Sequence, residues 1–390
     1  MLTNISKTNT FILASSALFL LSSCVDKNIQ SEYDGLTHYG EKHITISSLS
    51  FDTLYIDGSS LSLEGLWLID RGRFFFADYH LVGIKEFGLN GQYLGKHIEK
   101  GNGPNEVILP FMAATFRNNG DLITLSNLYN FQIFDTLYQK RDQYLLFSDT
   151  PYDEADWNDL LHNPNPEENQ MYEFNFDSSS KQIKCAGDNL LIPIVTEHID
   201  YNGYNISSNA KNFWKNSYIF AFLQLDTMSF QRKFGHYPPI YQKQNMPAFS
   251  KYSFDSFDGK IYTSFAADSL IYIRDFEGVL LYAIGYQASG ISNTFPSTKN
   301  FDDYSLFYKT KQKIYGYYTE INLINGHLFR NYQRNNESGF GMQIYREYDL
   351  IGEIVMEEPI KMLGEFYGWY YAVLPVDLEN EMYRIVKFKL

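Results

Sequence analysis

Past residue 60 the chain repeats one theme: a turn, an apolar strand, a short polar gap, a second strand closing on an acidic residue, and another turn. The first clear copy is 72–78 (GRFFFAD) followed by 82–87 (VGIKEF), with Gly91 and Leu94 behind it. A second is 120–125 (GDLITL) with 131–135 (FQIFD), and a third is 259–264 (GKIYTS) with 271–276 (IYIRDF), then Gly278 and Leu281. Weaker copies close at Leu225-Asp226 and Tyr348-Asp349, and a last one runs from 370–374 (YYAVL) to 385–388 (IVKF). The closing acids are Glu86, Asp135, Asp226, Asp275 and Asp349; 49 residues separate the first pair, and 49 separate Asp226 from Asp275. That period matches one four-stranded blade of a radial repeat protein.

The longer gaps need insertions, and the polar stretches 149–180, 201–215 and 286–313 supply them. Alternating apolar and polar residues with Gly, Asn and Asp at the turns argue antiparallel sheet throughout. Short helices are expected only near 154–161 and 305–312. A β-sandwich needs repeats that differ in role, whereas a propeller needs them alike. The expected fold is therefore all-β: a six-bladed propeller over residues 41–390, of four-stranded antiparallel blades. Such rings are closed by a strand from one end pairing with the last blade, which removes exposed sheet edges. Residues 44–46 (ITI) or 53–56 (TLYI) are the candidates. Aromatic residues make up 17% of the chain, 32 Tyr and 31 Phe among them. Broad rings suit pleated surfaces, and most are expected to fill the space between blades.

The address lies in the first 24 residues. Residues 11–21 (FILASSALFLL) form an apolar run too short to cross a bilayer but sized for a signal peptide, and Leu21-Ser22-Ser23-Cys24 follows it. This resembles the lipobox of bacterial lipoproteins, in which the cysteine is lipidated and becomes the first residue. Residues 1–23 are then a signal peptide, Cys24 the lipid attachment site, and 24–40 a tether. Cys185 has no partner in the mature chain, which excludes a disulfide framework and a cysteine metal site; a small buried hydrophobe is expected. The net charge of -14 repels phosphate backbones and anionic headgroups, so no nucleic acid partner is expected and the lipid is the only membrane contact.

Behind the first unit comes 100–106 (KGNGPNE). A Gly-x-Gly-Pro-x-Glu element in that setting resembles the six-bladed, TolB-like propeller lipoproteins of the Bacteroidota; 285–290 (GYQASG) is a degenerate second copy. The likeness spans nearly the whole mature chain. It implies a propeller lipid-anchored to the outer membrane, on either face, more than it implies an activity. Read as residues, Gly101 and Gly103 permit backbone angles that other residues resist, Pro104 fixes the turn, and Glu106 is placed to accept loop N–H groups. No Lys-Ser/Thr follows and no helix begins there, so a structural turn is preferred to a phosphate cradle.

Catalytic patterns are sparse. The eight histidines show no spacing of two or four, Gly290-Ile291-Ser292-Asn293 lacks the closing glycine of a nucleophile elbow, and the acidic stretch 153–168 does not fit an EF-hand. No metal or cofactor is expected. A carboxylate pair drawn from different blades stays open, because 46 acidic residues offer too many choices. Aromatic residues in polar settings are candidate contacts for a ligand: Tyr79 beside His80, Tyr129, and Trp157, with Tyr201, Tyr204 and Trp214 behind them. The expected function is a monomeric, non-catalytic binding or scaffold module of the cell envelope, for a protein or glycan partner. The alternative is a glycan-active hydrolase or lyase using carboxylates near the central channel.

Overall fold

The computed structural model describes residues 31–101, 103–107, 110–126, 130–145, 172–175, 182–196, 210–298 and 312–390. It is a six-bladed β-propeller. The six antiparallel sheets fall in chain order within residues 65–107, 111–145, 172–234, 252–284, 317–356 and 361–388, and each sequence repeat supplies the middle of one blade. The innermost strands touch in cyclic order: Gly65–Asp70, Phe111–Phe116, Lys184–Ala186, Tyr252–Phe257, Tyr317–Ile324 and Lys361–Phe366, which returns to the first.

The N-terminal segment encircles three blades. Tyr39 donates its N–H to Ala283 of blade 4, Lys42–Ile46 runs parallel to the outer strand of blade 5, and Asp52–Asp57 becomes the outer strand of blade 6. Of the two closure candidates, 53–56 therefore closes the ring and 44–46 covers the neighbouring blade. Residues 31–40, within the span expected as a tether, lie against the ring: Tyr33 is buried and Glu32 pairs with Arg274.

Turn chemistry explains the repeat. First-to-second-strand turns in blades 1, 4, 5 and 6 are Arg71-Gly72, Asp258-Gly259, Asn325-Gly326 and Tyr367-Gly368, all at positive φ. Two such residues give the twist that a tight hairpin requires. The third-to-fourth-strand turns are longer, and Asp135 and Asp275 occupy the same place in two of them. Each accepts the N–H four residues ahead, Gln139 at 2.9 Å and Val279 at 2.8 Å. Glu86 is not their equivalent; it sits inside its strand, buried, between Arg73 and His97. Nor is Asp226, which lies past the residue, Gln224, that bonds across its turn. The regular spacing of the acids thus reflected blade length rather than one conserved turn position.

Apolar residues gather at the seams between blades, one core to each seam. Rings bridge them as the composition suggested: Trp67 to Tyr383 at 5.4 Å, Phe75 to Phe116 at 4.9 Å, Phe220 to Phe254 at 5.0 Å, Phe329 to Tyr370 at 5.2 Å. Helix is scarce among the described residues. Of the two expected segments, 154–161 lies outside them and so does 305–312 except for Gln312; the α-helices described are Gln312–Tyr315 and, where none was expected, Ala210–Asn216 and Pro239–Lys243. Both of the latter pack at the seam of blades 3 and 4.

Candidate functional site: the central channel

Because each blade runs antiparallel, links between blades and second-to-third-strand loops leave one face of the ring, and tight hairpins leave the other. A central cavity of about 400 Å³ lies among the innermost strands. Its wall comes from innermost strands of blades 1, 2, 3, 5 and 6: Asp70, Arg117, Gln182, Lys184, Glu320, Asn322 and Lys361 stand among Leu66, Ile69, Ile183 and Met362.

The polar wall is a linked set. Gln182 donates Nε2–H to Glu320 Oε1 at 3.2 Å, and Lys361 Nζ lies 4.0 Å from the same oxygen. Lys184 pairs with Asp255 at 3.1 Å, and Asp255 also accepts the Leu323 N–H at 2.8 Å. Glu320 is buried, and that burial pushes its carboxyl above the ordinary glutamate range; Lys361, Lys184 and Asn322 pull the other way without cancelling it. Among the described residues, Gln182 Oε1 and Asn322 Oδ1 are buried with no hydrogen-bond partner. Buried acceptors left unmet cost free energy, which marks this wall as polar beyond what the fold alone requires.

The inner strand of blade 3 is split, Tyr172–Phe174 and Lys184–Ala186 both pairing with Asn189–Thr196. Residues 172–174, inside the expected 149–180 insertion, therefore belong to the blade. Cys185 lies in the second piece, half-buried, with its thiol pushed up to about 11 by burial.

The residues singled out from sequence lie elsewhere or outside the described chain. Tyr79 and His80 occupy the second-to-third-strand loop of blade 1, away from the channel. Buried Asp78 fastens that loop by accepting N–H groups from Ser62, His80 and Leu81. The His80 side chain is 64% exposed and 3.4 Å from Glu64. Cys24, Tyr129, Trp157, Tyr201 and Tyr204 lie outside the described residues. Trp214 is not a surface contact: it is 1% exposed, edge-on to Tyr237 at 4.8 Å, and donates Nε1–H to Asn245.

In the Gly-x-Gly-Pro-x-Glu element, Glu106 Oε2 accepts the Gly103 N–H at 2.7 Å, and Asn105 holds the Lys140 N–H of blade 2. Neither Gly101 nor Gly103 has positive φ. The two glycines lie instead against Glu106: a Cβ on Gly103 would stand 2.9 Å from its carboxylate, and one on Gly101 closer still, so a side chain at either position requires the Glu106 end to move.

Sequence reasoning missed the channel set because its members are spread from Asp70 to Lys361. One signal was present. In Tyr317–Ile324, Glu320 and Asn322 alternate with fully apolar Ile321 and Leu323, so a strand buried on both faces carries two polar groups.

No protein-family model matches the sequence, and no curated protein matches it. Solved structures share the architecture. A member of the duf4221 family from Bacteroides vulgatus aligns over 88% of this chain and 98% of its own, at 15% identity and a TM-score of 0.64. A Bacteroides fragilis protein described as exported aligns over 90% of this chain and 98% of its own, at 12% identity and a TM-score of 0.53. At such identities the likeness shows the fold alone.

Proposed function

We propose that the chain is an exported, lipid-anchored propeller of the cell envelope that binds a hydroxyl-rich ligand, a glycan end or free sugar, in its central channel without turning it over. The observation that carries this reading is the polar wall of the central cavity, where Gln182 and Asn322 stand beside the ammonium-bearing Lys184 and Lys361 and buried Glu320. A sugar offers hydroxyls that both donate to and accept from such a wall of amide, carboxyl and ammonium groups, and a cavity of about 400 Å³ suits a small ring-shaped ligand. Export and the lipid at Cys24 rest on the N-terminal pattern, and the Bacteroides fragilis neighbour described as exported supports the export alone. Calorimetric titration of the mature protein with a panel of mono- and disaccharides tests the binding. One sugar is expected to bind, and Asn322→Leu to weaken it about tenfold, the effect of one lost buried hydrogen bond. A panel without binding, or binding indifferent to Asn322→Leu, refutes it.

The enzymatic alternative is favoured by one observation: Glu320, raised by burial, feels the charge of Asp255 across the channel wall. A carboxyl whose pKa is raised near a second carboxylate is the pattern of a glycosidic general acid and its partner. Reducing ends released from glycans, and abolished by Glu320→Gln with binding retained, would replace the binding reading with this one.

A further inference from the structure

The N-terminal segment enters the ring at one fixed place. Tyr33 is buried and donates its hydroxyl to the His236 carbonyl, while Glu32 accepts the His236 N–H at 3.1 Å and holds Arg274. His236 lies at the start of the link from blade 3 to blade 4, so Ser31 stands beside that link. Cys24 precedes Ser31 by seven residues, a path of about 25 Å at most for an extended chain. A lipid on Cys24 therefore keeps this link within that distance of the bilayer.

The two faces of blades 3 and 4 carry opposite charge. Their hairpin turns hold Asp188, Asp226, Asp258, Asp275 and Glu277. On the other face, the second-to-third-strand loops and the links into blades 4 and 5 hold exposed Lys215, Lys243 and Lys313, half-buried Lys251 and exposed Ile314. Among the described residues of those loops and links the one acid is Asp268, which is buried and accepts from the Tyr272 hydroxyl and the Leu270 N–H. The entering segment adds exposed Asp34, and the balance stays positive. A chain of net charge -14 thus presents a basic surface where its N-terminal segment enters.

We infer that this basic face of blades 3 and 4 rests on the anionic phospholipid headgroups of the bilayer that holds the lipid, which sets one orientation of the propeller. The inference rests on the lipid anchor of the proposed function and not on the channel ligand. Ammonium groups within a Debye length, about 10 Å, are drawn to such a surface, and the acidic hairpins are repelled from it, so both faces favour the same orientation.

The test is lysine footprinting, read by mass spectrometry, of the lipidated protein added to phosphatidylglycerol-containing vesicles and of the soluble Cys24→Ala form. A singly charged anionic acetylating reagent is depleted about threefold at the potential of an anionic leaflet. Lys215, Lys243 and Lys313 should therefore react about threefold more slowly in the anchored protein, with Lys96 of blade 1 and Lys389 of blade 6 unchanged. Lys215→Glu combined with Lys243→Glu, both at exposed positions, should restore the rate at Lys313 while the protein stays with the vesicles. Protein that remains in the supernatant refutes the lipid anchor and the inference with it. Anchored protein with no slowing, with equal slowing at all five lysines, or with Lys313 still slowed in the double variant overturns the orientation alone.

Discussion

Glu32 and Arg274 stand 242 residues apart in the chain and meet in a two-pronged ion pair, with both guanidinium-to-carboxylate distances at 2.7 Å. The guanidinium is 1% exposed, and it also donates to the Gly278 carbonyl. Without Glu32 a buried cation would lose its counter-charge, which is among the costlier single changes. The pair thereby fastens the start of the encircling N-terminal segment to blade 4.

Glu32→Gln is expected to lower stability by about 2 kcal/mol at pH 7, read as a lower urea midpoint. Burial alone would raise the Glu32 carboxyl, but Arg274 and His236 outweigh it and hold it below the ordinary range. A depressed folded-state pKa gives stability that is present above the unfolded value and lost as pH falls through the folded one. The gap between wild type and variant should therefore shrink below about pH 4.5, where unfolded glutamate takes up its proton. A gap constant from pH 7 to pH 3 would contradict this account.

Glu320 should behave with the opposite sign. Burial raises its folded-state pKa, so the ionised carboxylate opposes folding above the unfolded value and the penalty grows as pH rises toward the folded one. Glu320→Gln is expected to raise the urea midpoint more at pH 7.5 than at pH 5. Equal shifts at both values would mean that burial does not raise this carboxyl above its unfolded value.

Ring closure is testable at Ile56. It lies on the strand Asp52–Asp57, is fully buried, and joins Trp67, Tyr383 and Ile385 in the core between blades 6 and 1. Ile56→Ala should cost about 2–4 kcal/mol by deleting packed methyl groups. An equally buried residue on a strand that did not close the ring would cost no less, so limited proteolysis is the discriminating readout. The variant should be cleaved first between residues 46 and 60.

Two glycines should fail for different reasons. Gly326 has φ +74 and open space around its Cβ position, whereas Gly101 has an ordinary backbone angle and a blocked one. Gly326→Ala should cost about 1 kcal/mol, and Gly326→Asn less, because asparagine tolerates the left-handed region. At Gly101 the order should reverse, Asn being worse than Ala, since the larger side chain meets the Glu106 carboxylate. Thermal denaturation of the four variants separates the two causes.

Cys24→Ala should move the protein from the membrane fraction to the soluble fraction. Unchanged fractionation would remove the lipid anchor from the proposed function.

Fold was largely legible in the chain because a propeller is local. Each blade is a run of hairpins whose turns, such as Asn325-Gly326, and whose alternating strands are written in consecutive residues, so six repeats announced six blades. The aromatic excess likewise announced the seams, although not which ring would meet which. The channel was not legible, for a geometric reason. Its polar wall draws Gln182, Glu320, Asn322 and Lys361 from three blades, and only the closing of the ring brings strands 100 residues and more apart within bonding distance. Tertiary structure also decided what the sequence left balanced: that 53–56 closes the ring and 44–46 covers blade 5, that Trp214 is core, and that Gly101 lies against the Glu106 carboxylate. Periodicity reports the contacts a residue makes with its near neighbours. Burial, charge pairing and steric exclusion depend on distant ones, and those exist only once the chain has closed on itself.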